Sequence, residues 1–223
     1  LAVPEGSVVF EGEPLVRITA PIIQAQLIET LVLNQLHCQC LAACKAARVV
    51  LAARGRPVME FGSRRAQGSD AALKAARCAW LAGAAGTSNV LAGRLWGIPL
   101  LGTMAHGFVQ AYGDESRAFE AYARLYPGTT LLIDTYDPLA GVERVIALAR
   151  DLGPEFTARA VRIDFGDLAA LSREVRARLD AAGLSGVGVV VSGDLDEGRI
   201  AALLDSGAPV DAFGVGARLV VSE

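Results

Sequence analysis

From Pro57 onward, short apolar runs alternate with longer segments whose apolar residues recur every three or four positions. The runs are VMEF (58–61), GAAGTS (83–88), PLLGTM (99–104), TLLID (130–134), AVRID (160–164), VGVVVS (187–192) and DAFGVG (211–216). Between them lie SDAALKAARCAWLA, NVLAGRLWG, ESRAFEAYARLY, GVERVIALARDLG, DLAALSREVRARLDAAG and DEGRIAALLDSG, several ending in Gly, as helix C-caps do. Strands alternating with helices predict βαβ units and a parallel sheet. Upstream, Ile22, Ile23, Leu27, Leu31, Leu33 and Leu36 lead into Ala-rich sequence. Pro21 suits a helix's first turn and Gly55-Arg56-Pro57 ends it. Residues 1–20 read as short β-type pieces between Gly/Pro turns. The expected division is the edge of a β-rich N-terminal domain over 1–20, a connecting helical segment over 21–56, and an α/β barrel over 57–223.

The residues just after each apolar run decide between an open sheet and a closed one. Polar and glycine-rich sequence stands after every run: Gly62-Ser63-Arg64-Arg65, Thr87-Ser88-Asn89, His106, Asp134-Thr135-Tyr136-Asp137, Arg162-Ile163-Asp164-Phe165-Gly166-Asp167, Ser192-Gly193-Asp194-Leu195-Asp196 and Gly214-Val215-Gly216. The opposite ends are ordinary loops such as LYPGT and LSGVG. An open sheet concentrates function at one switch point, whereas a barrel gathers all strand ends on one rim. Decoration of all seven ends predicts barrel-like closure.

Composition narrows the field. A chain of 223 residues with 52% hydrophobic content can bury a sizeable core. Its net charge of -3 and lack of a dense Lys/Arg block argue against nucleic-acid and anionic-membrane partners. The apolar runs, of about 5–8 residues, are too short to span a bilayer. No signal peptide is visible, and the chain opens inside a strand-like motif at Leu1, as a fragment with further sequence upstream would. His37, Cys40 and Cys44 fall near one helix face, but no second ligand pair comes after them at zinc spacing. Cys38, Cys40, Cys44 and Cys78 are therefore expected to be buried thiols in a reducing cytoplasm.

Each rim residue has a structural reading beside a chemical one. Asp167, Asp194, Asp196 and Ser88 suit helix caps. Arg64-Arg65 suits a solvated turn, and a lone His suits a core or capping position. Together they make a different inventory: arginines for carboxylate or phosphate, carboxylates that hold Mg²⁺ or stabilise a cationic sugar, and glycine turns ahead of helices. That set suits a phosphorylated sugar with a pyrophosphate leaving group. Arg64 and Arg162 are expected to hold anions. The 5′-phosphate is expected between Ser192-Gly193-Asp194 and Gly214-Val215-Gly216, because barrels of this type place phosphate at their last strand ends. Bulk at Gly193 or Gly216 is expected to abolish binding with the fold intact.

EFGSRRAQG, GTSNVLAG, GTMAHGF, LLIDTYD, RIDFGDL, VSGDLDE and DAFGVGARL, in this order, resemble the motifs of nicotinate phosphoribosyltransferase; EGEPLVRITAP resembles its segment before the barrel. The resemblance implies a type II phosphoribosyltransferase with an irregular TIM-like barrel of about seven strands and an N-terminal domain beside it. It implies a homodimer with its site near the interface. It implies formation of nicotinate mononucleotide and pyrophosphate from nicotinic acid and phosphoribosyl pyrophosphate, coupled to ATP hydrolysis through phosphorylated His106. On this reading His106, Asp164 and Asp134 are catalytic, and Phe61, Arg64, Ser88 and Arg162 bind substrate. Ser192, Gly193, Asp194, Gly214 and Gly216 bind phosphate. Mg²⁺ accompanies the substrate, with no resident metal.

The chain departs from the family pattern at Phe165, Ala217 and Gly107, where small hydroxyl or acidic side chains are usual. Ser88 stands where a nicotinamide-specific relative would place Asp, which would repel a carboxylate substrate. The alternatives are a related nicotinamide or quinolinate phosphoribosyltransferase, or a degenerate barrel that binds phosphoribosyl ligands without turnover.

Overall fold

In the computed structural model, which describes residues 1–221, the alternating pattern from residue 57 becomes a parallel α/β layer. The last two positions of the 57–223 span lie outside the described residues. Six strands form: β1 (Val58–Glu60), β2 (Gly86–Thr87), β3 (Thr130–Leu132), β4 (Ala160–Ile163), β5 (Gly188–Val191) and β6 (Ala212–Val215). They lie in the order β2-β1-β6-β5-β4-β3, every pair parallel.

The sheet is curled into a half-barrel. Met59, Ala160 and Val190 share one small apolar cluster with Phe61, Leu101 and Ala212, on its concave side. Alternate residues face the helices, where Leu131, Val161, Ile163, Val189, Val191, Phe213 and Val215 are fully buried in the main core.

The run at 99–104 departs from expectation. It makes one parallel bridge, Leu100 to Thr87, closed by Thr87 N–H to the Pro99 carbonyl and Leu101 N–H to the Thr87 carbonyl, each 3.0 Å. Its only neighbour, β2, is two residues long and supports no longer ladder. The run predicted at 83–88 shrinks to β2 because Gly83 turns at φ +102° and ends the preceding helix instead.

The helices follow the periodic segments: α1 (Ile22–Ala52), α2 (Ser69–Leu81), α3 (Val90–Trp96), α4 (His106–Tyr112), α5 (Glu115–Leu125), α6 (Pro138–Leu152), α7 (Leu168–Ala181), α8 (Glu197–Asp205) and the short α9 (Ala217–Val220). Asn89, Asp114, Asp137, Asp167 and Asp196 cap α3, α5, α6, α7 and α8 through side-chain oxygens that accept backbone N–H bonds. Asp167 and Asp196 thus take their bland role. Ser88 does not cap, because Asn89 does, and Asp194 sits in the turn before α8 at φ 49°.

Helix α1 docks its C-terminal half through Ala42, Ala46 and Val49, and Lys45 and Arg48 clamp Glu197 of α8 at 2.7 and 2.9 Å. Burial opposes the charge on Glu197, but these two cations hold its pKa at about 2. The N-terminal half of α1 leaves the body, so Ile22, Leu27 and Leu31 are exposed. Cys38, Cys40 and Cys44 are exposed with it, and only Cys78 is the buried thiol that was expected. Among the described residues no three metal-ligating side chains converge, so the His37–Cys40–Cys44 spacing builds no site. No described helix is long and apolar enough to cross a membrane. Residues 1–20 contribute one antiparallel bridge, Ala2 to Val16, between turns.

Candidate active site

Parallel strands deliver their C-terminal residues to one edge of the sheet, and there the distant motifs meet. Arg162 projects from β4 with its side chain largely buried. All three faces of its guanidinium edge are used. Nε donates to Ser192 Oγ at 2.7 Å, Nη1 to Thr103 Oγ1 at 2.7 Å, and Nη2 to Asp164 Oδ1 at 2.5 Å. Ser192 Oγ in turn donates to Asp164 Oδ1 at 2.5 Å. The flat face of the guanidinium stands over the Phe61 ring, 5.6 Å from its centroid. Three of its five N–H groups are thus bonded within the protein, one on each nitrogen, which narrows what Arg162 can offer an anion through its edge. Arg64 is exposed and makes no hydrogen bond or ion pair among the described residues, so it is an available cation.

His106 opens α4 rather than ending a strand. Its Nδ1 lies 3.2 Å from Thr135 Oγ1 and its Nε2 lies 3.6 Å from Asp164 Oδ2, with 37% of the side chain exposed. The imidazole is thus oriented on one side, faces a carboxylate on the other, and is open to solvent. That answers whether it is a core histidine: it is not.

The two aspartates differ in kind. Burial disfavours the charge on Asp164, but Arg162 and the hydrogen bonds from Ser192, Arg162 and His106 outweigh it and hold its pKa below the ordinary value. Asp134 is fully buried, and burial pushes its pKa up. Its Oδ2 accepts the backbone N–H groups of Asp164 (2.5 Å) and Phe165 (3.1 Å). Asp134 therefore shapes the turn that presents Asp164. Asp134 Oδ1 is buried with no bond partner among the described residues.

The glycines also divide. Gly193 has φ +94°, and a Cβ there would stand 1.7 Å from the Asp164 carbonyl oxygen. Close approach of the loops after β4 and β5 demands it, so bulk at Gly193 breaks the packing and the expectation of an intact fold fails. Gly214 is pressed by the Phe61 ring. Gly216 has room, the nearest atom to an added Cβ being the Phe61 carbonyl oxygen at 3.5 Å. Gly193→Ala is expected to cost about 2–4 kcal/mol from overpacking and left-handed strain, or roughly 5–15 °C in melting temperature. Gly216→Ala should melt with the wild type. Equal melting of both variants in a thermal scan would refute the distinction.

A cleft of about 500 Å³ opens between the loops after β4 and β5, bordered by Asp164, Phe165, Gly193, Asp194 and Arg199. Gly214 and Gly216 do not line it; they lie one strand further along. Phe165, half exposed, stands 6.4 Å ring to ring from His106 and points outward instead of filling the site. Gly107 has open space where a side chain would stand. Ser88 is exposed on the loop after β2, its N–H bonded to the Glu60 carbonyl at 2.9 Å. Sequence reasoning missed Thr103, Thr135 and Glu60, which bind or orient site residues. Each lies within a motif already singled out, at a run's polar end.

A curled parallel sheet whose strand ends gather a histidine, an arginine and paired aspartates defines an α/β protein with its site on the carboxyl edge of the sheet. The chain belongs to the nicotinate phosphoribosyltransferase family. It is 63% identical over 222 residues to the Mycobacterium tuberculosis protein named nicotinate phosphoribosyltransferase pncB2, covering 100% of this chain and 48% of that one. It is 44% identical over 219 residues to nicotinate phosphoribosyltransferase of Bacillus subtilis, covering 98% and 45%. The crystal structure of human nicotinic acid phosphoribosyltransferase superposes with a TM-score of 0.87 at 33% identity, covering 96% of this chain and 54% of that one. The chain thus spans about half the length of the curated relatives it matches. No protein-family model matches it.

Proposed function

We propose that this chain carries the catalytic rim of a nicotinate phosphoribosyltransferase, which joins nicotinic acid to phosphoribosyl pyrophosphate, releases pyrophosphate and couples the reaction to ATP. The observation that carries this reading is the His106–Asp164–Arg162 constellation. A solvent-open imidazole, steadied by Thr135, faces a carboxylate that Arg162 keeps anionic. When a ring nitrogen takes the γ-phosphoryl group and ADP leaves, positive charge grows on the ring, and Asp164 stabilises it. Water then hydrolyses the phosphohistidine after the coupled step.

Nicotinate fits beside this pair. Its pyridine ring matches the flat Arg162–Phe61 surface, and Arg64 supplies a free cation for its carboxylate. Ser88 on the neighbouring loop adds no negative charge to repel it. The 5′-phosphate remains assigned to the loops after β5 and β6, where Ser192, Gly193, Asp194, Gly214 and Gly216 lie. Mg²⁺ fits as a companion of the substrate's phosphates rather than a resident ion. Asp164 Oδ1 and Asp134 Oδ2 are already bonded within the protein.

The finer architecture belongs to the same proposal. The 99–104 run serves as a seventh stave. Arg162 of β4 reaches across to Thr103, and His106, just past the run, reaches Thr135 after β3, so the two contacts tie the run to the far edge of the sheet. A homodimer with its site near the interface and a cytoplasmic location complete the reading.

Labelled nicotinate incubated with phosphoribosyl pyrophosphate should give labelled mononucleotide, faster with ATP. Binding of phosphoribosyl pyrophosphate with no product would favour the non-catalytic alternative. Product from nicotinamide or quinolinate alone would move the assignment to a related transferase.

A further inference from the structure

Glu60 is a buried carboxylate with no part in the chemistry above. Its chain neighbours Met59, in β1, and Phe61, just after it, face the concave cluster, so Glu60 points to the helix-covered side, where 1% of it is exposed. An acid in that place costs free energy unless its oxygens are bonded. Both are. Oε1 accepts the Gly62 N–H, and Oε2 accepts the Thr87 hydroxyl at 2.5 Å. The same residue's carbonyl accepts the Ser88 N–H at 2.9 Å.

The bonds continue past Glu60. Thr87 Oγ1 accepts the Asn89 N–H at 3.0 Å, and Asn89 Nδ2 donates to Ser63 Oγ at 3.2 Å. The ring of contacts is closed: 60 to 62, 60 to 87, 87 to 89, 89 to 63. It ties the loop after β1 to the loop after β2. The first carries Phe61 and Arg64; the second carries Ser88. Gly62 has no room to shift, since an added Cβ there would stand 2.2 Å from Val220. The bonds to its two oxygens come from Gly62 and Thr87, so they hold loops.

We propose that Glu60 is a positioning residue that locks the loops after β1 and β2 into one unit and so sets the pocket for the planar aromatic acid. The lock rests on the nicotinate reading for its purpose, though not for its existence. It concerns the aromatic acid first: Gly193 and Asp194 lie outside the ring of contacts, and Gly216 touches it only through backbone packed beside Gly62.

The test uses the whole chain with Glu60→Ala, Thr87→Val and Glu60→Gln. Two readouts are taken: steady-state kinetics for each substrate, and amide hydrogen exchange without substrate. Glu60→Ala and Thr87→Val should raise KM for nicotinate about tenfold or more, the loss of roughly one sound hydrogen bond. They should leave kcat and the phosphoribosyl pyrophosphate KM within about threefold. Exchange should quicken in 61–65 and 87–89 together and stay unchanged elsewhere. Glu60→Gln should recover both readouts, since its carbonyl can accept from Gly62 and its amide can donate to Thr87. Thr87→Val, nearly isosteric, decides the matter if Glu60→Ala does not fold. Unchanged exchange in both loops, a fall in kcat with nicotinate KM intact, or equal damage to both substrates' KM values would each overturn the proposal. If the wild type handles no nicotinate, the functional reading fails, and the exchange result alone still decides whether the lock exists.

Discussion

His106→Ala is expected to remove every trace of phosphoryl transfer from γ-labelled ATP to the protein. The wild type should carry label that survives base and is lost in acid, as a phosphoramidate bond is. No other histidine is near the site, since His37 lies on α1, so the variant should fall to background instead of partial loss. ATP should also cease to accelerate nicotinate turnover. Two further changes separate the nucleophile from its surroundings. Asp164→Asn removes the charge facing Nε2 and should slow labelling about 10- to 150-fold, the worth of one charge-assisted contact. Thr135→Val removes the partner of Nδ1 and should slow it less, because that contact is neutral and 3.2 Å long. Label persisting in His106→Ala would place the phosphoryl group elsewhere and remove the mechanism proposed for the rim.

Arg162→Ala should be the most damaging change at the rim. The side chain satisfies Ser192, Thr103 and Asp164 at once, and only 15% of it is exposed. Removing it leaves Asp164 partly buried without its counter-charge, a loss of about 3–5 kcal/mol for a buried pair. The melting temperature should drop by roughly 6–20 °C. Nicotinate binding should vanish with it, since the stacking face goes too. Arg162→Lys keeps the charge but has neither the fork nor the flat face, so it should recover part of the stability and little of the binding.

The acid limb gives an independent reading. Asp164 is held below its ordinary 3.8 in the fold. Its stabilising share is therefore present above that value and lost as pH falls through the folded pKa. In Arg162→Ala the folded pKa rises, and acid unfolding should begin at higher pH. A melting temperature within about 2 °C of wild type across that range, measured by calorimetry, would show that Arg162 is not the keystone of the rim.

Much of this protein was legible from local chemistry. The alternation of periods predicted helices α1 to α3 and α5 to α8 and their order between strands, because each period reflects which face a segment must bury. The caps at Asp167 and Asp196 followed from residue type and place. His106, Asp164 and Arg162 stood out because polar residues end apolar runs, and parallel strands carry such ends to one edge.

Partners were another matter. No local signal says that Arg162 spends donors on Thr103 and Ser192, for these come from the 99–104 run and the loop after β5, and the register of β4 beside β5 is what brings Ser192 within 3 Å; Asp164 is two residues along the same segment. Asp134, read from the sequence as a catalytic acid, is also a buried acceptor for the Asp164 turn, a role that depends on β3 lying next to β4. Gly193 looked like a phosphate cradle, yet the group that demands it is a carbonyl contributed by the loop after β4. Glu60 drew no attention, since an acid ending a strand reads as solvated until Thr87 and Gly62 are seen to enclose it. The 99–104 run has the residues of a strand and lacks only a long neighbour. Sequence alone determined which segments form and which groups face the rim, because those follow from burial and backbone geometry within each segment. Only the tertiary structure decided which groups are free for a ligand and which are consumed by the protein, because that depends on distances between loops far apart in the chain.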